Sequence, residues 1–252
     1  MAEWLRRGLQ ILVWGFDSLR GLHQNCFLYA PLAHANATKL RVDTMIAETQ
    51  RQMMVDGQIR TNEVSNPALL DALYAVPRES FVPLSARSVA YVDREIEVGT
   101  GRFLLSPMVA AKLIQALDLR EGDNVLDIAG GSGYSRAIME RMGAHVTMLE
   151  NVTPESSIDA SSIDAVTGPL NEGVASRAPF SAILINGSID YVSPSLLAQL
   201  GKGGRLVAIV GQGRSGKACI FERNGDTFST RSLFDASAPF LREFERVVDF
   251  AF

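Results

Sequence analysis

The chain has 252 residues, 47% of them hydrophobic, and a formal net charge of −4 with both signs interspersed. That is enough apolar material for one sizeable α/β core with attachments, and it offers no basic stripe for a nucleic acid and no attraction to an anionic membrane. Cys26 and Cys219 lie far apart with no metal-ligand or C-x-x-C spacing, and His23, His34 and His145 form no cluster, so no metal is expected and a reducing, cytoplasmic setting is.

Residues 1–44 differ from the rest. Arg6-Arg7 followed by the apolar run Leu9 to Phe16 resembles the start of a signal peptide, with Ala33-His34-Ala35 as a nominal cleavage site. The run is about eight residues long, at the short end for a signal and too short to cross a bilayer, and Asp17, Arg20 and His23 interrupt the stretch after it. A poorly ordered extension is the expectation, with Met45, Met53 or Met54 as alternative starts; a signal or a surface-seeking amphipathic helix are the other readings.

From Met45 the pattern becomes regular. Ile46 to Ile59 is a charged helical stretch, and Ser65-Asn66-Pro67 has the cap and early proline of a second helix running to Tyr74, which Pro77 stops. Phe81-Val82-Pro83 begins a loop-rich segment. Ser106-Pro107 opens a helix to Leu117, whose Val109, Leu113, Ile114 and Leu117 recur at helical spacing and read as a core-packing face.

Asn124 to Tyr134 is the most informative stretch: an apolar strand ends in Asp127 and runs through Ile128-Ala129-Gly130-Gly131-Ser132-Gly133 into a helix. Gly131 and Gly133 can take positive φ and let the backbone approach a ligand, so the first helix amides face the bound molecule. A second strand, Val146 to Leu149, ends in Glu150, placed to accept hydrogen bonds from two ribose hydroxyls. Strand, turn, helix, strand and terminal acid together indicate a nucleoside cofactor. Counting from Gly131, Arg136 holds the third glycine position of a dinucleotide fingerprint, and Asp127 would repel a pyrophosphate. A ligand carrying an ammonium and a sulfonium, S-adenosyl-L-methionine, suits these residues better than NAD. The plainer reading is a βα turn whose glycines only satisfy sterics.

Beyond Glu150 only about a dozen polar residues, Asn151 to Ser162, precede a strand around Ile163 to Val166, so the crossover helix is expected to be reduced to a turn or two. Ser181 to Asn186 reads as a buried strand, Pro194 to Leu200 as a helix and Gly203 to Val210 as the next strand. Lys217 to Glu222 and Thr227 to Phe234 flank Asn224-Gly225-Asp226 as an antiparallel hairpin, and Arg246 to Phe252 is a candidate edge.

Met54-Val-Asp-Gly-Gln-Ile-Arg60, Val76-Pro-Arg-Glu-Ser-Phe-Val-Pro83, Ala90-Tyr-Val-Asp93, Val125 to Tyr134 and Leu200-Gly-Lys-Gly-Gly-Arg-Leu-Val207 resemble, in order and spacing, the protein-L-isoaspartate O-methyltransferases over about residues 45–252. The resemblance implies a Rossmann-like class I methyltransferase sheet of about seven strands, mostly parallel with an antiparallel hairpin, under an N-terminal helical cap. It divides the chain into the extension (1–44), the cap and substrate loop (45–106) and the donor-binding core (107–252). It also implies methylation of the α-carboxyl of isoaspartyl residues in damaged proteins. On that basis Asp127, Ala129, Gly131, Ser132, Gly133, Glu150, Asn151, Pro169 and Leu170 belong to the donor site and Gly101, Arg102, Phe103, Leu104, Leu105 and Ser106 to the acceptor side.

Departures from the family fall at that acceptor loop. Where the family has Gly-x-Gly-Gln-Thr-Ile-Ser-Gln-Pro, this chain has Gly99-Thr-Gly-Arg-Phe-Leu-Leu-Ser-Pro107, which puts Phe103 and Leu105 in place of two hydroxyls. Arg102 offers compensation by pairing with an acceptor carboxylate, or is a solvated loop charge. Ala129 stands for the first loop glycine, Gly168-Pro169-Leu170 lacks the acid that would read the adenine amino group, and Ser181 stands for the Asp expected before its strand. Asn186 orients substrate or caps a turn. Two alternatives accompany the isoaspartyl reading: a donor-binding protein without turnover, and a methyltransferase whose Phe103-Leu104-Leu105 wall takes a more apolar acceptor.

Overall fold

The structure, a computed structural model, describes residues 44–151 and 165–246. The expected N-terminal extension up to residue 43, most of the shortened crossover (152–164) and the terminal edge (247–252) lie outside the described residues.

Residues 44–54 are helical (α1) and tighten through a π-helical turn, Val55–Ile59, into a short 3₁₀ turn, Arg60–Asn62. Helix α2 (Pro67–Ala75) starts as the sequence suggests: the Asn66 side chain accepts the Leu69 N–H at 3.1 Å, and Pro67 sits where a backbone donor is unneeded. It ends at Val76, which Pro77 forces into extended geometry. Segments expected as loop form 3₁₀ turns, Arg78–Phe81 and Leu84–Val89, and then a short antiparallel hairpin, β1 (Ile96–Gly99) with β2 (Arg102–Leu104). Helix α3 (Pro107–Leu117) follows.

Then come β3 (Asn124–Ile128), α4 (Tyr134–Arg141), β4 (His145–Glu150), β5 (Ala165–Thr167) and β6 (Phe180–Ile189). Helix α5 (Pro194–Ala198), β7 (Leu200–Val210), β8 (Lys217–Asn224) and β9 (Thr227–Asp235) complete the order. The seven-stranded sheet runs β5-β4-β3-β6-β7-β8-β9, parallel from β5 to β7, with β8 and β9 each antiparallel to the strand before.

Side chains along the central strands alternate between two cores, as a pleat requires. Val125, Ala182, Leu184, Val207 and Ile209 face the cluster built with α2, α3, α4 and the turn after α1. Leu126, Ile128, Ile183, Ile185, Leu206 and Ala208 face the cluster closed by Phe180, Leu196, Leu241 and Phe244. Asp127 takes the alternation of Val125, so a carboxyl lies on the first of these buried faces.

Strand β6 runs three residues past Asn186, where the sequence suggested it ends, because a later segment lies beside it. Ser188 N–H donates to Pro239 O and Leu241 N–H to Ser188 O, both at 2.9 Å. A side chain on Gly187 would meet Leu241 Cγ at 2.6 Å, so the close approach depends on glycine there. Leu200, expected at the end of the helix, instead begins β7.

Candidate active site

The chain leaves β3 for β4 on one side and later places β6 on the other, so the strand order reverses at β3. The crevice beyond the carboxyl ends of strands at such a switch point is where open α/β sheets bind ligands. Asp127, Glu150 and Asn186 all lie at that end.

The turn from β3 to α4 takes positive φ at Ala129 (57°), Gly131 (58°) and Gly133 (80°). At Ala129 the methyl group costs ~1–2 kcal/mol against glycine. At Gly131 the missing side chain also makes room. A Cβ on Gly131 would come within 2.9 Å of Val98 Cγ2 and 3.2 Å of Arg102 Cβ, so the hairpin β1–β2 is seated directly on the turn. Gly130 leaves space for Asp127, whose Oδ2 would lie 2.7 Å from an added Cβ.

Asp127 is fully buried. Ser135 Oγ donates to its Oδ2 at 2.7 Å, and Asn186 Nδ2 donates to its Oδ1 at 2.6 Å and to Ile128 O at 3.0 Å. Asn186 therefore fixes Asp127 through its amide nitrogen. Burial pushes the Asp127 carboxyl up to about 7 against the two hydrogen bonds, and the nearby Glu150 charge adds to the rise.

Glu150, 1% exposed, accepts the Gly131 N–H at 2.7 Å on one oxygen and Arg102 Nε–H at 2.7 Å on the other. Arg102 also donates to Asn151 Oδ1 and to its neighbour Gly101 O, and its Nη2 lies 3.8 Å from Glu243. Asn151 Nδ2 donates in turn to Glu243. Burial raises the Glu150 carboxyl, while the guanidinium and the Gly131 amide oppose that rise. Arg102, weighed from the sequence as a partner for an acceptor carboxylate, pairs with the acid at the end of β4 instead.

In the loop expected to face the acceptor, Leu104 and Leu105 point into the first core, leaving Phe103 as the half-exposed member of the expected apolar wall; Gly101 is exposed and Ser106 is buried. Leu170 packs into the second core and Pro169 is exposed. Ser132 carries a buried hydroxyl with no protein partner. Ser181 is remote: it lines a polar cleft of about 380 Å³ with Asp118, Arg120, Lys202 and Arg205, at the opposite end of the strands.

Three contributors escaped the sequence reading: Ser135, Glu243 and Arg78. Arg78, wholly buried, donates from Nε to Ala90 O at 2.7 Å and from Nη2 to Leu105 O at 2.6 Å, with its guanidinium 5.0 Å from the Tyr134 ring centroid. It ties the 3₁₀ turn after α2 to the segment between β2 and α3. Its place in the Val-Pro-Arg block was the available signal.

A parallel sheet with carboxylates ending neighbouring strands, a glycine turn between them and a terminal antiparallel hairpin defines a Rossmann-like class I methyltransferase. The family model for protein-L-isoaspartate (D-aspartate) O-methyltransferase matches residues 49–236. The protein-L-isoaspartate O-methyltransferase of Roseiflexus castenholzii is 36% identical over 195 residues, spanning 74% of this chain and 88% of its own length. That of Methanoculleus marisnigri is 34% identical over 171 residues, 64% of this chain and 77% of its own. A Plasmodium falciparum structure of the same name, in complex with S-adenosyl-L-homocysteine, superposes with a TM-score of 0.63 at 16% identity, covering 78% of this chain and 98% of that one. The chain belongs to the protein-L-isoaspartate (D-aspartate) O-methyltransferase family.

Proposed function

We propose that this chain transfers a methyl group from S-adenosyl-L-methionine to the α-carboxylate of isoaspartyl residues in damaged proteins. The observation that carries the reading is the pair of buried acids, Asp127 and Glu150, on either side of a turn whose Gly131 amide donates to Glu150. The donor set fits this molecule. Glu150 has carboxylate lone pairs for vicinal ribose hydroxyls, Asp127 answers an ammonium, and Ser132 has a buried hydroxyl in need of a partner. Ala129, Gly131 and Gly133 supply a backbone with little bulk, while Asn151, Pro169 and the Leu170 backbone flank the adenine side.

The donor supplies an electrophilic methyl group, and the chain's residues do the rest. An acceptor carboxyl with a pKa near 4 is already ionised at pH 7, so no general base is needed. The remaining task is alignment and exclusion of water, worth several orders of magnitude in rate when the geometry is held. Of the loop Gly101 to Ser106, the half-exposed Phe103 is the side chain left to face the acceptor, and Arg78 holds the loop by the Leu105 carbonyl. No helix among the described residues is long and apolar enough to cross a membrane; a cytoplasmic setting is part of the proposal and rests on cysteine usage.

Labelled methyl transfer to an isoaspartyl peptide, compared with its normal aspartyl twin, tests the reading. Selective, base-labile labelling of the isoaspartyl peptide is expected; equal labelling of both would refute it. The Arg102–Glu150 pair favours one competitor, a protein that binds donor without turnover. Binding of S-adenosyl-L-homocysteine with no label transferred would establish that competitor instead.

A further inference from the structure

The Glu150 carboxylate is the group that a nucleoside's ribose must reach, and in this chain a guanidinium already stands on it. Arg102 Nε lies 2.7 Å from Glu150 Oε2, the two side chains are 6% and 1% exposed, and the Arg102 stem packs over Gly131, across the floor of the turn. The other Glu150 oxygen is engaged by the Gly131 amide. Asn151 and Glu243 hold the far side of the guanidinium. A carboxylate has lone pairs to spare, but the space in front of this one is filled.

We infer that Arg102 is the residue that sets donor affinity, competing as an internal cation with the ribose hydroxyls for Glu150, so that donor binds only when the guanidinium swings off. The inference rests on the donor reading above and goes beyond it. A molecule whose binding-competent form is a minor fraction binds in proportion to that fraction, so removing the competitor tightens binding without adding a contact. The partly exposed Glu243 carboxylate, 3.8 Å from Arg102 Nη2, is a ready partner for the displaced guanidinium. The pair is buried, which makes this competition less sensitive to salt than a surface ion pair would be.

Calorimetric titration of S-adenosyl-L-homocysteine into the full chain and its Arg102→Gln variant, both checked for folding by circular dichroism, reads the competition. Glutamine is uncharged and shorter, and binding at least about tenfold tighter than in the unchanged chain is expected. Equal or weaker binding in the variant would overturn the inference while leaving the donor reading intact. Heat in the variant alone supports both; heat in neither folded protein removes the donor reading and this inference with it. A measurement on the unchanged chain guards against a variant that does not fold. The Nε–H resonance of Arg102, whose side chain is 6% exposed, should shift or broaden when the ligand saturates; a resonance unmoved by bound ligand counts against displacement.

Discussion

Asp127 is a carboxyl enclosed on every side, held by Ser135 and Asn186 and pushed up by burial to about 7. In the unfolded chain the same group titrates near 3.9. Folding therefore takes up a proton between about pH 4 and pH 7, and the stability this brings is fully present below about pH 4 and lost as pH rises to about 7. The whole span is worth ~4 kcal/mol at most. Asp127→Asn, which keeps the shape of the neutral acid, should flatten that part of the profile, so urea midpoints measured at pH 4.5 and 7.5 should differ less in the variant. Identical slopes would mean that Asp127 does not titrate there. The same ionisation bears on function, because an ammonium near Asp127 favours its charged form. Affinity for S-adenosyl-L-homocysteine should rise through pH 7 in the unchanged chain and stay flatter in the variant.

The hairpin β1–β2 is seated on the turn between β3 and α4, and its seat can be weighed against its strain. Gly131 and Gly101 both have positive φ, at 58° and 68°. A methyl group on Gly101 meets nothing within 4 Å, whereas on Gly131 it meets Val98 Cγ2 at 2.9 Å. Gly101→Ala should cost the strain alone, ~1 kcal/mol, and Gly131→Ala that much plus displacement of the hairpin, in all ~2–3 kcal/mol. Urea unfolding of the two variants checks this, and equal losses would show that the hairpin is not supported by the turn. The hairpin was also the element least legible in the chain. Gly99 and Gly101 leave it two short strands with no alternation long enough to recognise. Strands β6 and β7 were legible because each carries an unbroken apolar run, Ala182 to Ile185 and Leu206 to Val210, and α2 because Asn66 and Pro67 announce it. At the site, Asp127 and Glu150 stood out because each ends an apolar strand. Their partners did not: Arg102 lies 48 residues from Glu150, and Asn186 looked like a strand end because nothing in its neighbourhood reveals the segment that prolongs β6.

That segment matters to the whole molecule, because it both closes the second core and reaches the site. Leu241 and Phe244 complete the cluster formed by Leu126, Ile128, Ile183, Ile185 and Leu206, and Asp190 N–H donates to Phe244 O at 3.3 Å. Between them Glu243 turns outward to Arg102 and Asn151. The cluster draws on the central strands β3, β6 and β7, so loosening the segment should lower the stability of the sheet as one unit and not merely fray an end. Phe244 is fully buried, and Phe244→Ala should cost ~3–5 kcal/mol, a large part of the ~5–15 kcal/mol that holds a domain together. Phe244→Leu keeps most of the apolar volume and is the more usable probe, with an expected loss of ~1–2 kcal/mol. Near- and far-ultraviolet circular dichroism should report one coincident urea transition, moved to lower concentration with its slope unchanged. Two separated transitions, or a midpoint that does not move, would show that residues 239–244 sit on the sheet without belonging to its cooperative core.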